Sequence, residues 1–130
     1  MENHLNKVLV TGANGFIASH CIKVLLEKGF QVKGSVRDIK QIDKIKSFIP
    51  EPLNKGKLEF CELNLFNNKG WNNAIKDCDY LMHIASPCTI KEPNKESKVI
   101  SPALQGTLNA LKAAYKSKIK KVVLTSSIGA

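Results

Sequence analysis

The stretch VLVTGANGFIASH, Val8 to His20, limits what this chain can fold into more than any other. An apolar β-rich run reaches Thr11, Gly12 and Gly15 follow at a spacing of three, and an apolar pattern of helical period begins near Phe16. Strand, tight turn and helix in that order make a βα unit, which feeds a parallel strand rather than a hairpin. In such a unit the first glycine permits the turn off the strand, and the second keeps the space over the backbone clear of side chains. The third small residue, here Ala18, sits where helix and strand pack closely.

The same alternation continues along the chain. It predicts strands over Lys7–Thr11, Gln31–Arg37, Leu58–Leu63, Tyr80–Ala85 and Lys121–Thr125. The first helix is predicted over Gly15–Lys28, with Ile17, Cys21, Val24 and Leu25 at core spacing and Gly29 as its stop. A second covers Gln41–Phe48, with Ile42, Ile45 and Ile49 in one stripe and Pro50 and Pro52 beyond it, and a third lies around Trp71–Lys76. A long helical pattern spans Lys95–Ser117, in which Pro102 should kink the helix or mark its true start. Five strands with right-handed crossovers give an α/β fold, a doubly wound parallel sheet in the order 3-2-1-4-5 with helices on both faces. Neither a repeat nor a low-complexity linker divides residues 1–130, which are therefore read as one domain. Ligands of such sheets bind beyond the carboxyl ends of the strands, at the switch between strands 1 and 4.

Composition narrows the classes. A chain of 130 residues with 43% hydrophobic content can bury a core without a metal or a disulfide. Cys21, Cys61, Cys78 and Cys88 stand far apart with no Cys-x-x-Cys pair, so they are read as reduced, mostly buried small hydrophobes and no metal is expected. The start, MENHLNK, has no apolar signal core, and no run approaches the ~18 apolar residues of a membrane span. A cytoplasmic protein with no membrane partner is expected. The net charge of +9 raises the question of nucleic acid. The basic residues are scattered, no aromatics are interleaved with them, and the cluster KSKIKK follows a predicted helix whose dipole it complements, so no nucleic-acid partner is expected.

The glycine turn, with βα units before and after it, points to a bound dinucleotide whose diphosphate faces the free N–H groups at the start of the first helix. The end of strand 2 then discriminates between dinucleotides. An acidic residue about 20 positions past the glycines accepts hydrogen bonds from the ribose of NAD. Here GSVRD places Arg37, the one arginine among 20 basic residues, just before Asp38. A guanidinium grips a 2′-phosphate with two hydrogen bonds, so NADP(H) is the expected cofactor. Ser35 and Lys44 are further candidates for the same phosphate. The alternative is a solvated strand end with Arg37 and Asp38 paired on the surface.

VTGANGFIASH, GSVRD, CELNL, LMHIASP, PALQGTLNAL and VVLTSS fall in the order and spacing of the extended short-chain dehydrogenase/reductases. Over essentially its whole length the chain resembles the dihydroflavonol reductase and cinnamoyl-CoA reductase branch of that NAD-dependent epimerase/dehydratase superfamily, which has a Rossmann-type fold. The resemblance implies a diphosphate held by Gly12, Asn14, Gly15, Phe16 and Ile17, with Arg37 and Lys44 at the 2′-phosphate. Asn64 and Leu65 would sit by the adenine, and Ala85, Ser86 and Pro87, with Thr125 and Ser126, would line the ribose and nicotinamide side. Ala18 in place of the third glycine and Asn64 in place of an aspartate depart from the pattern, yet an asparagine amide still donates and accepts toward an adenine amine.

By the same resemblance Ser127 is the catalytic serine, hydrogen-bonded to a small-molecule carbonyl or carbinol. His83, inside strand 4, is read as a packed strand residue rather than a general base, and nothing marks Cys88 as activated. The family's proton donor is a tyrosine with a lysine four residues on; here Tyr80 is followed at that spacing by Ile84 and Tyr115 by Ile119. The expectation is therefore the N-terminal, NADP(H)-binding part of a longer oxidoreductase that reduces a ketone or aldehyde, its substrate domain absent. These residues alone are expected to be inactive, and the open sheet edge past strand 5 would favour self-association. A nucleotide-sugar epimerase or dehydratase, and a non-catalytic dinucleotide-binding domain, remain the alternatives.

Overall fold

The computed structural model describes residues 6–49, 56–65, 67–85 and 97–125. Its five parallel strands are β1 (Lys7–Val10), β2 (Gln31–Val36), β3 (Leu58–Glu62), β4 (Tyr80–His83) and β5 (Lys121–Leu124), in the expected order β3-β2-β1-β4-β5. Val8 of β1 stands opposite Val32 of β2 and Tyr80 of β4, so the central strand is paired on both sides. The helices are α1 (Phe16–Glu27), α2 (Ile42–Phe48), α3 (Trp71–Ile75) and α4 (Ser97–Lys116), with a 3-10 turn at Ile39–Gln41 ahead of α2.

Alternation along β1 divides the core in two. Val8 and Val10 face one side of the sheet, where Ala18, Ile22 and Leu26 of α1 and Ile45 of α2 cover them together with Ile49. Leu9 faces the other, against Trp71 and Ile75 of α3 and Ala110, Ala113 and Ala114 of α4. This is the two-sided burial that right-handed crossovers impose on a parallel sheet. On α4 the residues toward the sheet are small, while Leu104 and Tyr115 project outward, 58% and 87% exposed. At the far edge of the sheet Val123 and Leu124 of β5 are half exposed.

Two expectations are corrected and one alternative is decided. The core face of α1 is Ala18, Ile22 and Leu26, with Leu25 beside it, one position round from the expected stripe; Ile17 and Val24 are exposed. Ile17 is turned outward because the first turn of α1 borders a cleft rather than the core. Each strand also stops one or two residues short of its expected end, at Val10, Val36, Glu62, His83 and Leu124. The residues beyond keep part of the ladder, as Thr11 N–H donates to Met82 C=O (3.1 Å) and Leu63 N–H to Val36 C=O (3.0 Å), but their backbone has begun to turn. Of the two roles expected for Pro102, the structure excludes the helix start, since α4 is already helical at Ser97.

Both long helices end alike. Gly29 (φ 91°) follows α1 with Phe30 N–H donating to Leu25 C=O and Gly29 N–H to Leu26 C=O, a Schellman motif. After α4 the same pair of bonds runs from Ile119 to Ala114 and from Lys118 to Tyr115, but the left-handed residue is Lys118 (φ 54°). A side chain is strained there. Lys118→Gly should raise stability by about 0.5–1 kcal/mol in urea denaturation, with the slope unchanged.

Charge gathers at the amino ends of the strands. Lys33 of β2 is buried in the second core, yet its Nζ donates to Ala74 C=O (2.8 Å) and Asp77 Oδ1 (2.5 Å). Lys7 Nζ donates to Glu59 Oε1 (2.6 Å) and Asp77 Oδ2 (2.9 Å). Burial alone would raise the Asp77 pKa, but the hydrogen bonds from Lys33 and Lys7 outweigh it and hold it at about 2. Because the folded pKa lies below the ordinary 3.8, the contribution of Asp77 is complete above about pH 4 and is lost as pH falls toward 2. Asp77→Asn should lower stability at pH 7 and flatten its fall between pH 4 and 2, measured by thermal unfolding across that range.

Candidate functional site

A cleft of about 420 Å³ opens at the carboxyl ends of β1, β2 and β4, where the strand order reverses. Its floor is the turn between β1 and α1. Gly12 has φ 69°, and a Cβ there would stand 3.1 Å from Ala85 Cβ, so this position needs glycine on two counts. Gly15 has φ −80°, which any residue adopts. Its constraint is room: a Cβ would stand 3.2 Å from Gly12 C=O, the group that accepts the Gly15 N–H at 2.9 Å. Gly15 is also the N-cap of α1, and no side chain caps that helix. The first-turn N–H groups therefore face the cleft without a side-chain acceptor.

The turn is braced from both strands beside β1. Ala13 N–H donates to Ser35 C=O (2.8 Å), and Gly34 beneath it has no room for a Cβ, which would stand 2.8 Å from Ala13 Cβ. Gly12 N–H donates to Ser35 Oγ (3.3 Å). Ser35 is buried and lines the cleft, where its hydroxyl oxygen accepts from the turn and keeps its own proton to donate. From β4, Ile84 and Ala85 donate their N–H groups to Thr11 Oγ1 at 2.9 and 3.0 Å, and His83 Nδ1 lies 3.0 Å from the same oxygen.

Arg37 is exposed at the end of β2 and borders the cleft. It forms no ion pair with a described carboxylate. Asp38, the partner in the surface-pair alternative, instead accepts from Lys40 N–H at 3.0 Å and caps the 3-10 turn. Asn14 reaches across to the same turn, its Nδ2 donating to Gln41 Oε1 at 3.0 Å. Glycine cradle, uncapped helix start and a guanidinium unpaired among the described residues thus meet in one cleft with the dimensions of a small-molecule site.

The family model for the NAD dependent epimerase/dehydratase family matches residues 8–130. The chain belongs to this family. A cinnamoyl-CoA reductase of Medicago truncatula is 38% identical over 126 residues, which cover 96% of this chain and 39% of the relative. A bifunctional dihydroflavonol 4-reductase/flavanone 4-reductase of Malus domestica is 35% identical over 130 residues, 99% of this chain and 37% of the relative. Among solved structures, yeast methylglyoxal/isovaleraldehyde reductase complexed with NADPH superposes with a TM-score of 0.80 at 28% identity, over 93% of this chain and 37% of that one. Alfalfa vestitone reductase does so with a TM-score of 0.76 at 32% identity, over 95% and 37%. The chain spans somewhat under two fifths of the length of the curated relatives named here.

In this member of the epimerase/dehydratase family the cleft gathers most of the residues expected from the sequence. Phe16 and Ile17 border it with exposed side chains, and Asn64, Leu65 and Ala85 form its opposite wall. Leu65 is wedged against α4, where Gly106 has no room for a Cβ, which would stand 2.7 Å from Leu65 Cδ2. Two expected residues are not among those lining the cleft. Lys44 lies on the exposed side of α2, because its neighbour Ile45 is held in the core and the two point about 100° apart round the helix. Thr125 continues the β4–β5 pairing instead, its N–H donating to His83 C=O at 3.1 Å. Ser86, Pro87, Cys88, Ser126 and Ser127 lie outside the described residues.

The structure adds residues that the motifs did not mark. Trp71, the first residue of α3, is buried in the cleft wall behind the left-handed Gly70 (φ 85°), with Nε1–H donating to Asn67 C=O at 3.2 Å. Its ring meets that of His83 edge-on at 6.1 Å. His83 is buried, which lowers its pKa below 6.5, in keeping with a packed residue rather than a base. Burial likewise pushes the Cys61 and Cys78 thiols up to about 11 and about 12, so neither offers a thiolate at neutral pH. No described group of His, Cys, Asp and Glu could hold a metal ion, and no described helix is long and apolar enough to cross a membrane.

The two glycines of the turn should respond differently to alanine. Gly12→Ala forces a left-handed side chain onto Ala85 and should cost about 1–3 kcal/mol in chemical denaturation. Gly15→Ala should cost less than half as much, its backbone being ordinary.

Proposed function

We propose that these residues form the NADP(H)-binding part of an oxidoreductase that passes a hydride between NADPH and the carbonyl or alcohol carbon of a small molecule. The observation that carries the reading is Arg37, a guanidinium free of described carboxylates at the rim of the glycine cradle. The cleft fits the cofactor on its own terms. Gly12 and Gly15 leave no side chain over the turn, and the uncapped start of α1 presents N–H groups to a diphosphate. Arg37 would hold the 2′-phosphate, and Asn64 and Leu65 the adenine side. A reductase fits the relatives named above better than an epimerase, since NAD offers Arg37 a hydroxyl where NADP offers a dianion.

When bound, the nicotinamide supplies the hydride. The chain's own part is to hold and orient: the turn fixes the diphosphate, and Ala85 bounds the side along which the ribose and nicotinamide would lie. By resemblance Ser127 hydrogen-bonds the substrate oxygen. Proton delivery needs a further acid, and neither tyrosine serves, since Tyr80 lies within β4 and Tyr115 projects outward from α4. We therefore read residues 1–130 as cofactor-binding and, alone, without reductase activity.

Arg37→Ala should weaken NADP(H) binding by about 1.5–3 kcal/mol, the worth of a charge-assisted hydrogen bond, and leave NAD(H) nearly unchanged. Calorimetric titration of both cofactors against both proteins checks it. Equal losses for the two cofactors would overturn the NADP assignment.

A further inference from the structure

We infer that His83 is a positioning residue for the cofactor cleft: its Nδ1 accepts the Thr11 hydroxyl proton, which leaves both Oγ1 lone pairs to hold the Ile84 and Ala85 N–H groups beside the glycine turn. The role rests on the dinucleotide reading of the cleft. The hydrogen-bond assignment does not. A threonine hydroxyl has one proton and two lone pairs. Three partners surround Oγ1 within 3.0 Å, and two of them, the backbone N–H groups, can only donate. The third partner must accept. His83 Nδ1 therefore carries no proton, and the ring is the neutral Nε2–H tautomer.

The consequence falls on Ala85. It is the residue against which a Cβ on Gly12 would collide, so its place sets the gap between the turn and the opposite wall. A protonated imidazole would bring a third donor to an oxygen with no lone pair left, and one backbone N–H bond would have to break. Among the described residues, the groups set against His83 are uncharged: Thr11 just past β1 and the Trp71 indole from α3 at the ring, and the Thr125 N–H just past β5 on the backbone carbonyl. Burial disfavours the charged form and so keeps the acceptor available at neutral pH.

Two pairs of variants test this at pH 7.5 with NADPH as the probe. Thr11→Val and His83→Phe should each weaken binding about tenfold, because a buried donor loses its acceptor or the hydroxyl is gone. Thr11→Ser and His83→Asn keep the hydroxyl and an acceptor near the Nδ1 position and should stay within about threefold. Packing alone ranks the histidine variants the other way, since phenylalanine fills the space beside Trp71 and asparagine leaves a void. Tighter binding by the asparagine variant supports positioning; tighter binding by the phenylalanine variant overturns it. Nitrogen-15 NMR of the ligand-free chain reads the same geometry without cofactor. Nδ1 should be unprotonated at neutral pH, and the Ile84 and Ala85 amide resonances should follow an imidazole titration with its midpoint below 6.5. A protonated Nδ1 at neutral pH overturns the inference whatever the binding data. An unprotonated Nδ1 in a wild-type chain that binds no NADPH overturns the dinucleotide reading, and the positioning role with it.

Discussion

At Gly12 the chain leaves β1 through a gap in which a Cβ would crowd Ala85, and most of the molecule is arranged around that gap. Ala85 crowds Gly12 from the β4 side, and Ala13 presses on Gly34 from above β2. The turn therefore lies flat across both neighbours of β1 at once. Backbone bonds from Ala13 to Ser35 and side-chain bonds through Ser35 Oγ and Thr11 Oγ1 hold it there. Because the turn is pinned, α1 must begin just after Gly15 with its first N–H groups over the sheet edge. A looser turn would leave the same glycines without a defined cradle, which is why preorganisation and not the glycine pattern itself makes a binding site.

The cleft exists because the chain changes direction at β1. After β2 it moves outward to β3 with α1 and α2 on one face; it then returns past β1 to β4 and continues to β5, with α3 and α4 on the other face. Loops leaving β1 and β4 consequently diverge toward opposite faces, and a crevice remains between them. Small residues line the approach of helix to sheet on both sides, Ala18 on α1 and Gly106 with Ala110 on α4. Leu65 packs into the space that Gly106 leaves, which carries the loop after β3 up to the cleft wall.

Strand order, helix placement and the glycine turn were legible because each rests on a strong local signal: alternation of β-rich and helical patterns, paired glycines, and a lone arginine at the end of β2. What was hidden depended on contacts between distant residues. The face of α1 was misjudged by one position because Ile17 is as apolar as Ile22, and only the neighbouring cleft decides which of them is buried. The bracing bond from Gly12 N–H to Ser35 Oγ was equally hidden, since nothing in GSVRD reveals it. Lys33 counted among the scattered lysines, though its charge is spent inside the second core on Asp77. Trp71 and His83 meet only after α3 has folded back onto β4, a pairing that no spacing encodes.

The net charge of +9 takes on a different meaning once the cations are placed. Lys7 and Lys33 are bound to Glu59 and Asp77 at the amino ends of the strands, while the cleft lies at the opposite, carboxyl ends. Lys44 faces solvent, and on the proposed function exposed lysines of this kind would act at a distance, speeding the approach of a polyanionic ligand by an amount that salt would erase. Selection is a separate matter, because a diffuse field attracts NAD and NADP alike apart from their net charge. Only a group in the cleft with fixed hydrogen-bonding geometry can tell a phosphate from a hydroxyl on one ribose. A lysine at position 37 would keep the charge but lose the planar fork, and with it much of the geometric preference. On the proposed function, discrimination therefore resides in the shape of one side chain, and the lysines contribute rate.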